Sequence, residues 1–257
     1  MLGFNGLSQS PSGGGVGTVA WRDITGTLSD QSDLQSALDA KLDRKNRSQT
    51  LNYFNDFGGQ TGTTGDFTLS GFVKNNQYES KDYTGFIRTS NSAFCYAIRS
   101  LATVGGIFLE GGEIEIDAGI VLKTLADAVD DYIVYMGLFD DVAGTPANGV
   151  YVRYQRASAT YELVTRKAGV ETVVDLGITP TANDHEEFKI TINAAASSIQ
   201  GWANGANAGS PITTDIPTGV RLMEGIFVQR LAGTTNSKVY PDWFGLDKGF
   251  TNNRYTS

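Results

Sequence analysis

Residues 149–176 read GVYVRYQRASATYELVTRKAGVETVVDL, and this stretch decides the fold. Val150-Tyr151-Val152-Arg153-Tyr154, then Tyr161-Glu162-Leu163-Val164-Thr165-Arg166, then Val170 to Leu176 alternate well enough to be half-buried strands. Ala157–Ala159 makes the first connection, and Lys167-Ala168-Gly169 is short enough for a tight turn. Three strands joined this closely form an antiparallel meander. Downstream, Phe188, Ile190 and Ile192 share one face of a further strand, and Ile199-Gln200-Gly201-Trp202 leads into Asn204-Gly205, a strong hairpin signal.

The same texture extends to both sides. Short runs of β-branched and aromatic residues, separated by glycine, asparagine and aspartate, predict strands at 67–74, 85–89, 93–102, 106–109, 113–122, 132–139, 149–156, 160–166, 170–176, 187–193, 198–203, 219–230 and 243–247. So many strands do not fit one flat sheet, and two packed sheets bury one apolar face of each. Thr124 to Asp131 has local helix character and reads equally as a loop. The order of strands resembles the concanavalin-like jelly roll of legume lectins, laminin-type modules and many phage appendage heads, in which an N-G turn commonly follows the strand written here as I-Q-G-W. The expected class is mainly β, with one jelly-roll head over residues 48–257.

Ahead of the head the composition changes twice. Residues 1–18 carry Gly13-Gly14-Gly15 with neighbouring serines and read as a flexible arm. Residues 19–47 hold a short extended piece and then a helix, predicted from about Ser32, where Ser32 and Gln35 have capping-box spacing, to about Arg44. Leu34, Leu38 and Leu42 recur at i, i+4 and i+8, one narrow apolar stripe. About a dozen residues make a marginal helix alone, so the stripe is covered either by the head or by identical helices about a symmetry axis.

Trp21, Asp23-Ile24-Thr25-Gly26-Thr27-Leu28-Ser29-Asp30-Gln31, Asp33-Leu34-Gln35 and Ala37-Leu38-Asp39-Ala40-Lys41 resemble a phrase found in tailed-phage virion proteins. The resemblance covers about a tenth of the chain. It implies a structural virion protein, capsid-decorating or head-fibre in type, made in the host cytoplasm. Trp21, Asp23, Ile24, Leu28, Leu34, Leu38 and Leu42 would serve attachment and oligomerisation. Its partners would be copies of itself, as a homotrimer, and phage capsid or tail proteins. Alternatives are a tail-fibre tip that recognises host-surface glycans and, more remotely, a jelly-roll glycan hydrolase.

Composition narrows the field. Lys and Arg total 20 against 28 Asp and Glu, a formal charge of −8, so the summed field repels polyanions and argues against nucleic acid. No run approaches the ~18 apolar residues of a membrane span. Cys95 stands alone within Ala93-Phe94-Cys95-Tyr96-Ala97 and reads as a buried small hydrophobe.

The best candidate for catalysis is Gly112-Glu113-Ile114-Glu115-Ile116-Asp117. Carboxylates two apart on a strand share a face at about 6.6–6.8 Å along it, close to the ~5–5.5 Å that a retaining glycosidase needs. The stretch resembles the E-I-D-I-E of laminarinase-type jelly rolls, but its acids run Glu, Glu, Asp. The plainer expectation is a solvated acidic face opposite a buried Ile114 and Ile116, and no catalytic residues. His185, the one histidine, lies in a polar connection and is expected to be exposed. Asp130-Asp131 and Asp140-Asp141 show no specific ligand spacing, so neither metal nor cofactor is expected. Tyr151, Tyr154, Tyr161 and Trp202 form a glycan platform if they face outward and core or interface if they do not, with Tyr154 and Trp202 the contact candidates.

Overall fold

The computed structural model describes residues 50–56, 68–70, 72–73, 87–88, 93–99, 106–233 and 239–249. All of them belong to the unit Arg47–Ser257. The predicted arm, the predicted helix and the attachment residues Trp21, Asp23, Ile24, Leu28, Leu34, Leu38 and Leu42 lie outside the described residues.

In chain order the strands are β1 (Thr50–Asp56), β2 (Thr68–Ser70), β3 (Phe72–Val73), β4 (Ile87–Arg88), β5 (Phe94–Arg99), β6 (Ile114–Leu122), β7 (Tyr132–Phe139) and β8 (Gly149–Gln155). There follow β9 (Glu162–Lys167), β10 (Val170–Asp175), β11 (His185–Ile192), β12 (Ile199–Ala203), β13 (Ala206–Ile212), β14 (Met223–Arg230) and β15 (Val239–Gly249). No helix occurs among the described residues. One sheet has six strands in the order β1-β15-β6-β11-β12-β13, and the other seven in the order β10-β9-β8-β7-β14-β5-β2. The small pair β3-β4 stands apart from both.

The meander is present as β8, β9 and β10, in register through Val152↔Leu163 and Val164↔Val173. Its tight turn places Ala168 at φ 51° and Gly169 at φ 85°, the two positive values that suit the right-handed twist of a hairpin. Asn204 (φ 48°) and Gly205 (φ 76°) do the same between β12 and β13. Between the sheets lies the main core. Ile114, Ile116, Ala118 and Ile120 of β6 and Phe188, Ile190 and Ile192 of β11 face Val150 and Val152 of β8, Leu163 of β9 and Ile226 and Val228 of β14. Each large aliphatic residue so buried contributes about 1.5–3 kcal/mol. Cys95 is in this core, fully buried, as its apolar neighbours predict.

Two packed sheets account for only part of the burial, because the seven-stranded sheet hides its second face as well. There Tyr135 stacks on Phe227 (4.2 Å, 6° between planes), meets Tyr151 edge-on at 5.2 Å, and Phe139 meets Phe227 at 4.9 Å. This explains why β7 is buried at every position. Beside the rings, Arg153 Nε donates to Glu162 Oε2 at 2.8 Å, and its Nη1 lies 3.2 Å from Glu171 Oε2, which also accepts from Arg166.

Of the two readings of Thr124–Asp131 the loop is the one present, because Asp127 Oδ1 accepts from the backbone N–H groups of Val129 and Asp130 at 2.7 Å and closes a turn instead of a helix. Other expectations need correction. The strand predicted from Gly219 begins only at Met223, after a turn at Gly219 (φ 74°). Residues 106–109 contribute a single bridge, Ile107 to Leu222. Strand β1 is absent from the expected set, and β13 is implied there only by the hairpin signal at Asn204-Gly205, without bounds.

Candidate functional site

Strand β6 alternates strictly at its start: Ile114 and Ile116 point into the core, so Glu115, Asp117 and Gly119 point outward from the six-stranded sheet. Antiparallel register then sets their neighbours. Asp117 lies opposite Lys189 of β11 and Gly245 of β15, while Lys189 in turn lies opposite Trp202 of β12. Glu115 pairs with Thr191 on one side and Asp247 on the other. One row across four strands therefore reads Gly245, Asp117, Lys189, Trp202.

Lys189 is the organising cation. Its Nζ donates to Glu115 Oε1 at 2.6 Å and lies 3.8 Å from Asp117 Oδ1. Partial burial pushes the Asp117 carboxyl up to about 6; the Lys189 charge opposes that rise and the neighbouring Glu115 adds to it. Hydrogen bonding to Glu115 holds the Lys189 ammonium above its ordinary range. Lys189 is thus bound closely to one carboxylate, and the second keeps acceptor capacity in a partly dry setting.

Two indoles flank the acids. Trp243 lies opposite Gly119, and a Cβ at that glycine would fall 2.4 Å from the indole Nε1, so the ring occupies space that only glycine leaves. Trp202 stands on the far side of Lys189, and its Nε1 is buried with no hydrogen-bond partner in the protein. Together with Glu187, Thr191 and the acids they line a cleft of about 280 Å³. Aromatic faces beside convergent carboxylates and one ammonium are suited to a polyhydroxylated ligand: rings stack on its apolar faces while acids and amine exchange hydrogen bonds with its hydroxyls.

The predicted site residues divide. Trp202 lines the cleft. Tyr154 does not: it is buried in the core between the sheets, 5.5 Å from Tyr132 and 5.9 Å from Tyr161, with its hydroxyl accepting from the Ala126 N–H. It cannot touch a glycan, and that expectation is corrected. Tyr161 is likewise core, and Tyr151 belongs to the buried second face of the seven-stranded sheet. Burial pushes the hydroxyls of both above the ordinary tyrosine range. Glu115 and Asp117 do form an outward acidic face over buried isoleucines, and Glu113 is exposed just before the strand.

His185 is the first residue of β11 and only partly exposed, with Nε2 3.2 Å from Asp242 Oδ2, which corrects its placement in an exposed connection. Asp140 and Asp141 hold their own loop, accepting from Asn148 and from the backbone of Val142 and Ala143. Asp131 pairs with Arg156 at 3.2 Å. Among the described residues, no three His, Cys, Asp or Glu side chains converge as metal ligands. Sequence reasoning missed Lys189, Thr191 and Glu187. Their alternation with Phe188, Ile190 and Ile192 was a signal that they face outward, but only the register sets Lys189 opposite Asp117, Thr191 opposite Glu115 and Glu187 opposite Gly119.

The sheet order defines a concanavalin-like jelly roll, and solved structures agree. The chain is similar to a protein of unknown function from Shewanella oneidensis MR-1 (TM-score 0.55, 11% identity, 91% of this chain and 100% of that one). It is similar also to peanut lectin (0.55, 8%, 79% and 99%) and to endo-1,3-beta-glucanase from Streptomyces sioyaensis (0.54, 9%, 79% and 98%). At these identities the likeness is one of fold. No family model matches the chain, and no curated protein matches it.

Proposed function

We propose that this chain is a structural virion protein of a tailed phage, capsid-decorating or head-fibre in type, that attaches through residues 19–47 and displays the jelly-roll head as a homotrimer. The observation that carries the reading is the phrase from Trp21 to Lys41, which resembles the attachment segments of such proteins. Several weakly held arms on one trimer would bind a particle together, which raises the overall affinity without stronger single contacts. Deleting residues 1–47 is expected to abolish incorporation into particles while the head stays folded. Full incorporation of the truncated chain, measured on purified particles, would overturn the attachment role.

A second reading concerns what the head does once displayed, and the cleft favours it: the outer face of the six-stranded sheet binds a host-surface glycan. Trp202 and Trp243 supply stacking faces, and Asp117, Glu115 and Lys189 supply acceptors and a donor. Binding without cleavage fits the chemistry, because Glu115, one of the two outward acids of β6, is held by Lys189 at 2.6 Å. Trp202→Ala is expected to lower glycan-array signal at least ~10-fold, since one stacked aromatic is worth about 1–3 kcal/mol. Signal from the variant equal to that of the native chain would remove the cleft from consideration.

A further inference from the structure

The cleft carries an imbalance of charge that distinguishes one kind of glycan from another. Glu115, Asp117 and Glu187 line it, and among the described residues Lys189 is its one cation. Lys189 is committed to Glu115 at 2.6 Å and stands back from Asp117 at 3.8 Å. On the opposite flank the register partner of Asp117 is Gly245, which contributes no side chain, and the next outward position along β15 is Trp243. We propose that the cleft selects saccharides bearing a free, protonated amine, with the ammonium on Asp117 and the sugar ring against Trp243 or Trp202. The proposal rests on the glycan-binding reading of the same cleft.

The physical case has three parts. Lys189 pairs with Asp117 only at 3.8 Å, against 2.6 Å to Glu115, so a ligand ammonium on Asp117 would add a shorter charge-assisted bond than the one already there. Indole faces attract the same cation, so the flanking tryptophans and the acid act in one direction. A sulfated or carboxylated sugar meets three carboxylates against one ammonium and is repelled. The groups facing Asp117 are Glu115 on its own strand, Lys189 and Glu187 on β11 and Asp247 on β15, with His185 and Asp242 farther along. Because the Asp117 carboxyl takes up its proton near pH 6, selectivity should fade as pH falls through that value. The ligand amine gains charge in the same direction, so a loss in acid marks the protein group and not the ligand.

The test is calorimetric titration of the full chain with a fully deacetylated glucosamine tetrasaccharide and with its N-acetylated counterpart, at neutral pH. The deacetylated ligand is expected to bind about tenfold tighter, which corresponds to about 1.4 kcal/mol. Asp117→Asn should erase that difference, and Lys189→Met, which removes the competing cation, should widen it. Equal affinities in the native chain, or a preference that survives Asp117→Asn, would overturn the amine selectivity while leaving glycan binding in place. If neither tetrasaccharide bound a folded chain, the glycan reading would fail and the selectivity with it.

Discussion

A side chain at Gly119 would have to displace the Trp243 indole, since its Cβ would lie 2.4 Å from Nε1 and 2.9 Å from two ring carbons. Gly119→Ala is therefore expected to shift the Trp243 ring out of the cleft and to destabilise the head by roughly 1–3 kcal/mol, the usual cost of overpacking. A red-shifted tryptophan emission together with a lower urea midpoint would register both effects. Asp117 makes a prediction of opposite sign. Its folded carboxyl titrates near 6, above the ordinary 3.8, so the unfolded chain ionises first and Asp117 lowers stability as pH rises between the two values. Asp117→Asn should thus raise the urea midpoint at pH 7 and make little difference at pH 4. A gain that was equal at both pH values would contradict this assignment.

Among the elements, the centre of the seven-stranded sheet is the most constrained. Gly137 of β7 and Gly225 of β14 are register partners, both at φ 146°. An added Cβ would fall 2.4 Å from the Val150 carbonyl in one case and 2.2 Å from the Ala97 carbonyl in the other. Gly225→Ala combines an unfavourable φ with contact to backbone that cannot move aside, and should cost at least about 1–3 kcal/mol in chemical denaturation. Arg153 is the other sensitive point of this sheet. Only 8% of its side chain is exposed, and it ties Glu162 of β9 to Glu171 of β10. Arg153→Ala removes their shared cation, but Glu171 keeps Arg166 and Glu162 keeps Gln155 and Ser158, so the expected cost is about 1–3 kcal/mol.

The same elements show which strands could be recognised from sequence and why. β11 alternates because one face is buried and the other polar, so its period is visible. β8 and β9 alternate in sequence but are not half-buried as expected: Tyr151 and Val164 pack on the second face of their sheet, and Arg153 and Thr165 are buried too. β7 reads YIVYMGLF because both faces are covered, and it was found from apolar density alone. β13 reads ANAGSPI with only two buried positions, so little in its composition marks a strand, although the Asn204-Gly205 turn before it announces a partner. β1 mixes polar and aromatic residues and is a strand because β15 pairs with it over seven positions.

At the scale of the whole molecule, the fold class was legible because short β-branched and aromatic runs broken by turn residues recur along the head. The site was not, because it is made across strands. Glu115 and Asp117 were visible as a pair, but Lys189 is 72 positions beyond Asp117 and reaches it only through the antiparallel register of β6 and β11. Tyr154 failed as a glycan contact for a related reason: both faces of its strand are buried, which alternation within one strand does not reveal. The net charge of −8 carries to this scale as well. High salt should weaken binding of a cationic ligand to the cleft and leave that of a neutral one almost unchanged, which a salt series would measure directly.

The last strand of the six-stranded sheet is not at its edge. β15 lies between β1 and β6, so Thr50 waits for Gly249, and Trp243 reaches its place beside Gly119 only when β15 pairs with β6. During synthesis on the ribosome the seven-stranded sheet is able to assemble once residue 230 has emerged, whereas β1 has no hydrogen-bonded neighbour until residues 239–249 follow. An incomplete chain therefore lacks both the cleft and a closed six-stranded sheet.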